Sequence, residues 1–135
     1  MTINAAITNL VSKVSALPGM KQAPSVPIES AGGCFPFAIV YEYSGSLDTL
    51  SAGFANDKAT IYVEIHVERA LLPEAITKAM TFRDPFLKAL ISDPNLSGTV
   101  SVVNAVRRLF GGMEYGNTKT IGYRFEIDVK IKMEV

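Results

Sequence analysis

From Tyr123 to Val135 the chain alternates without a break. Tyr123, Phe125, Ile127, Val129, Ile131, Met133 and Val135 are apolar, and Arg124, Glu126, Asp128, Lys130, Lys132 and Glu134 between them are charged. A helix cannot sort a period of two, whereas successive strand side chains point to opposite faces. The segment is therefore a strand with one buried and one wet face. Its apolar face is core on which helices pack. Its charged face carries equal numbers of each sign, a poor surface for catalysis or for holding DNA. It suits the wall of a water-filled channel or a contact with a next subunit. The strand is expected to keep the C-terminus in the sheet rather than release it as a tail.

Upstream, Ile3, Ile7, Leu10, Val11, Val14 and Leu17 fall at helical spacing. Thr2 or Asn4 is a candidate cap, and Pro18-Gly19 ends the helix. Residues 18–36 hold Pro18, Pro24, Pro27 and Pro36 with Gly19, Gly32 and Gly33, the composition of a stiff, irregular arm. A strand then runs from Phe37 to about Tyr43. Residues 44–57, rich in small side chains, are expected to form a long loop with Leu47, Leu50 and Phe54 offered for contact. Thr60–Glu68 alternates as a second strand. Pro73 opens a helix that breaks near Asp84-Pro85 and ends before Asp93-Pro94. Gly98–Phe110 reads as a third strand whose adjacent pairs Val102-Val103 and Arg107-Arg108 imply a bulge or bend. The order helix, strand, strand, helix pair, strand, strand predicts an α+β fold. An antiparallel sheet of about four strands carries an N-terminal helix and a kinked helix on one face.

The 135 residues fit a single domain spanning 1–135, and 48% apolar against 19% charged residues predicts a folded core. A net charge of zero argues against a protein that binds nucleic acid by neutralising phosphates. Cys34 is the only cysteine, so no internal disulfide and no cysteine-based metal site exist. Its place before an apolar run predicts a buried structural thiol in a reducing compartment. No secretory signal and no membrane-spanning stretch is expected. His66, the only histidine, shares a strand face with Glu64 and Glu68. Steps of about 7 Å along a strand are wide for ligands of one ion, so a solvated face is expected there. Neither a phosphate-binding glycine loop nor a Gly-x-Ser-x-Gly turn is present.

In the order of its elements the chain resembles the tail terminator proteins of long-tailed, lambda-type bacteriophages. Four features carry the resemblance. An amphipathic helix precedes an irregular arm ending in Phe35-Pro36-Phe37-Ala38-Ile39-Val40-Tyr41. An alternating strand, Thr60–Glu68, follows a polar stretch. A kinked helix spans Pro73–Ser92. A long strand closes the chain. The resemblance implies a homohexameric ring on the head-proximal end of the virion tail, assembled in the host cytoplasm. The ring stops polymerisation of the tail tube protein and docks a head-completion or neck protein. DNA is then only cargo in the lumen, with no membrane, catalysis, cofactor or metal. The family carries no residue-level interface motif onto this chain. The candidate contact residues come from the patterns above: Leu47, Leu50 and Phe54, and the charged positions Arg124, Glu126, Asp128, Lys130 and Lys132. Other readings open to this sequence are a head-completion or neck connector, and a small metal-dependent or ligand-binding α+β domain.

Overall fold

The alternating segment is an inner strand, paired on both sides. The computed structural model describes residues 1–134, apart from the side chains of residues 49–51. Its elements are α1 (Ile3–Ser15), β1 (Phe37–Ser51), β2 (Phe54–Glu68), α2 (Leu72–Met80), α3 (Arg83–Ile91), β3 (Val102–Tyr115) and β4 (Thr118–Glu134). The strands lie in the order β1-β2-β4-β3 with every neighbour antiparallel, so the fold is α+β with the expected element order.

The helices cover one face. Thr2 caps α1 by accepting from the Ala5 amide at 3.1 Å, and α1 turns Ala6, Leu10 and Val14 inward at four-residue spacing. Pro73 and Glu74 occupy the first turn of α2. The helix pair breaks at Thr81-Phe82, slightly ahead of Asp84-Pro85, because Phe82 is 1% exposed and anchors the bend in the core. Phe86 of α3 meets Phe125 of β4 at 4.7 Å between ring centroids. These residues share one apolar cluster with Val40, Ile61, Val63, Ile65, Tyr123, Ile127, Val129 and Ile131.

Residues 44–57 are not a loop. β1 and β2 continue through them as a hairpin, turning at Ala52-Gly53 with Gly53 at φ +83°. Ser-Gly-Ser and Ala-Gly have low strand preference, and what extends them is a partner remote in sequence. Phe54–Ala59 pairs with Val129–Glu134 of β4, and Gly45–Asp48 pairs in turn with Asn56–Ala59. Glycine is required at position 45, where a Cβ would lie 2.9 Å from the Lys58 carbonyl oxygen. The third strand is likewise displaced: it runs through Gly111-Gly112 to Tyr115 and turns at Gly116-Asn117. The predicted irregularity is present, between Val103 and Ala105.

The arm is irregular as expected, and it is tied down. The Lys21 and Gln22 amides donate to the Pro36 carbonyl, and the Ala38 amide donates to the Gln22 carbonyl. Between these ties the chain crosses to the turn joining β3 and β4. There Ile28 bonds the Tyr115 hydroxyl through both its amide and its carbonyl. Ala31 and Phe35 are buried against Phe37 and Ile39 on the sheet face away from the helices. Cys34, expected to be buried, is exposed. Gly32 and Gly33, both at positive φ, reverse the chain and turn Cys34 outward between buried Ala31 and Phe35.

Two positions report on this packing. A Cβ at Gly122 would lie 1.8 Å from the Ile65 carbonyl oxygen. Gly122→Ala is expected to cost about 3 kcal/mol or more by forcing β2 and β4 apart. Phe125→Ala, in the fully buried centre, is expected to cost about 3–5 kcal/mol. Urea unfolding of both variants checks these values.

Candidate functional site

The face away from the helices holds nearly all the organised polar chemistry, and its two ends differ. At the end where β1 begins, His66 is fully buried. Its Nε2 donates to Glu64 Oε1 at 2.9 Å, and its Nδ1 accepts from the Thr120 hydroxyl at 2.6 Å, the assignment that satisfies all three groups. Tyr41 donates its hydroxyl to the other Glu64 oxygen at 2.5 Å. Arg124, opposite Glu64 in the register, pairs with that oxygen at 3.4 Å. The Tyr115 ring lies 5.4 Å from the imidazole, and the Phe37 ring packs 4.6 Å from Tyr115.

The expected solvated face is therefore wrong here. The arm and Tyr115 lie over it, and side chains at i and i+2 lean together instead of standing apart. Glu68 is exposed and takes no part. Among the described residues no group of His, Cys, Asp and Glu is placed to hold a metal ion. Thr120, His66 and Glu64 are connected like a proton relay, but Thr120 and His66 have no exposed surface for a substrate to reach. The network's effect is structural: it satisfies polar groups that the arm has buried.

Glu64 feels opposing influences. Burial raises its pKa, and hydrogen bonds from His66 and Tyr41 with the charge of Arg124 more than cancel that, leaving it below the ordinary carboxylate range. Burial, then the bond to Glu64, pushes the Tyr41 phenol well above its usual range.

The middle of the face is cross-braced. Arg107 of β3 donates to Glu126 at 3.2 Å and to Asp128 at 2.5 Å, and Thr60 donates to Asp128 at 2.7 Å. The Arg107 bonds hold the Asp128 carboxyl below its usual range. Tyr43 stacks on Tyr62 at 4.2 Å, and Arg124 lies 5.0 Å over the Tyr62 ring.

Of the predicted contact residues, Arg124, Glu126 and Asp128 are thus occupied within the chain. Lys130 is half-buried opposite Lys58, and Lys58 pairs with Asp48 at 3.1 Å. Lys132 lies 5.1 Å over the Phe54 ring, bringing two candidates together near the hairpin tip. Leu47 is 53% exposed, on a register line with Asp57 and Ile131 that belongs to the helix-bearing face. The Leu50 side chain lies outside the described residues. Arg107, a candidate for ion pairs from sequence, does form them, whereas sequence reasoning missed Tyr41, Tyr43 and Tyr62 as a cluster. The spacing of Tyr41 and Tyr43, on one strand face but for a bulge, was the available signal. No helix among the described residues is long and apolar enough to cross a membrane. No protein-family model matches the chain, and no curated protein matches it at a significant level.

The depressed Glu64 pKa links this network to pH. Its stabilisation is present above the unfolded carboxylate value of about 4.3 and is lost as pH falls through the lower folded value. Glu64→Gln is expected to be less stable than the parent chain near neutral pH, with the difference shrinking as pH falls below about 4. Urea unfolding at a series of pH values measures it, and a difference constant with pH would contradict the linkage.

Proposed function

We propose that this chain is a structural assembly protein of the tail terminator kind. Its copies close into a ring of about six on the head-proximal end of a phage tail tube, end tube polymerisation and present a docking surface to the head connector. The observation that supports this most is the state of the edge strands. Residues 42–47 of β1 are exposed in succession, and none of the β3 residues is buried. A sheet normally buries its apolar face against another layer. Here Val102, Leu109 and Phe110 on β3, and Tyr43 and Leu47 on β1, remain exposed at 40–61%. Such mixed surface is what contacts between identical subunits use.

The charges agree with a role around passing DNA. Net charge is zero, and Arg107 and Arg124 on the helix-free face are each held by carboxylates of the same chain. A surface balanced in this way releases few counterions to a polyanion and so gives it little to grip.

The test is co-assembly with tail tubes built from the tube protein of the same genome, followed by electron microscopy and sedimentation. Added chain is expected to form a ring at one tube end and to stop elongation. Replacing residues 46–55 by a two-residue turn is expected to abolish both. A chain that stays monomeric and leaves tube length unchanged refutes the proposal. Intact capping by the shortened hairpin would remove the hairpin from the contact.

A further inference from the structure

β1 and β3 are the two edges of the sheet. Natural edges are guarded by charges, above all lysine, by proline, by bulges or by a covering segment; β1 is bulged between Glu42 and Ser44 and β3 between Val103 and Ala105. Neither strand contains lysine or proline, and only the start of β1 is covered, where Gln22 bridges to Phe37. Leu109 and Phe110 of β3 point to opposite faces and are 58% and 41% exposed, so this edge is apolar on both sides.

β1 carries one exposed charge with no ion-pair partner among the described residues, Glu42, and β3 carries two, Arg108 and the distal Glu114. Glu42 pairs in register with Ile61 and Arg108 with Phe125, both core-facing, so the two charges lie on the same side of the sheet. They are opposite in sign.

We infer that β3 of one copy adds antiparallel to the β1 edge of a second copy, with Arg108 opposite Glu42. This rests on the assembly reading and supplies the contact that builds the ring. Strand polarity dictates the direction. Neighbours alternate through β1-β2-β4-β3, so β1 and β3 run oppositely. A second copy placed head to tail by rotation therefore meets β3 with an antiparallel β1, and such a contact closes into a ring or propagates. The register places Leu109 across from Tyr41 and diagonal to Tyr43, Phe110 across from Val40, and Arg107 across from the exposed Tyr43 ring, and it ends at Val40, beyond which Gln22 of the arm holds the β1 edge at Ala38. Self-paired edges fit worse. Two β1 strands would oppose Glu42 and Asp48 without a cation from either strand, and two β3 strands could match Arg108 to Glu114 only in a register centred on Gly111-Gly112, which has no side chains to pack. The ion pair sets partner and register, while backbone bonds and apolar contact supply affinity.

Cross-linking tests the contact on the full chain with Cys34→Ser. Directly opposed antiparallel residues lie within disulfide reach. Glu42→Cys and Arg108→Cys chains, mixed and oxidised, are expected to give a heterodimer at least about tenfold above either alone, and the double variant a ladder of multimers. Self-dimers of Arg108→Cys at the level of the mixture would overturn the inference. So would cross-linking no higher than between Arg108→Cys and Met80→Cys, a control on exposed α2 surface. A second set needs no thiol: E42R or R108E alone is expected to lower assembly, and the double variant to restore it, with melting unchanged. Failure of the double variant to restore assembly counts against the register. Capping of tubes without the cross-link removes this contact and leaves the tail role. Cross-linking without capping supports the contact and removes the tail role.

Discussion

β4 is paired with β2 along Thr120–Glu134 and with β3 along Thr118–Lys130, and the remaining architecture follows from that. A strand of 17 residues needs neighbours equally extended if its backbone groups are to be satisfied. β2 meets the demand by matching Phe54–Glu68 against Thr120–Glu134 residue for residue. β1 then has to lengthen to accompany β2, and β3 has to run through two glycines to accompany β4. The helices are much shorter, α2 and α3 having nine residues each. They cover the middle of one face and leave the hairpin bare. The long exposed edges are thus a consequence of the inner pairing, not a separate feature.

The same sheet is finished differently at its two ends. Where β1 starts, the arm crosses from Gln22 to the Tyr115-Gly116 turn and back, sealing Phe37, His66 and Thr120. Burying a histidine beside a carboxylate is costly unless every polar atom finds a partner. Tyr41 and Thr120 supply hydrogen bonds and Arg124 its charge, so His66 and Glu64 are held across three strands. At the hairpin end no arm lies over the sheet, and Lys132 rests on Phe54 in the open. A subunit with one closed and one open end has a built-in direction, which a cap on a tube requires.

Elements governed by local pattern were legible from the residues alone. The period of two in β4, the Thr2-capped α1, the proline-led α2 and the irregularity near Val103 all stand where the spacing put them. What was not legible depended on remote partners. Ser44–Ser46 reads as loop because small polar residues have little strand preference, and only pairing through β2 to β4 makes them strand. His66 sits in an alternating segment that reads as half wet, and the segment that buries it lies some thirty residues earlier. Cys34 was misplaced for a nearer reason: two consecutive positive-φ glycines reverse the chain, and composition does not specify which neighbour then turns inward.

Charge balance narrows how such a chain can recognise anything. Net charge is zero, and Arg107, Arg124 and Lys58 each face a carboxylate of their own subunit, so little long-range field remains to attract a partner. Recognition then has to work at contact distance, through backbone edges, exposed apolar side chains and the charges left unpaired. Glu42 and Arg108 are such charges, and they stand on opposite edges. With no net charge to draw a polyanion, what these edges can hold is set by the backbone groups and side chains they present.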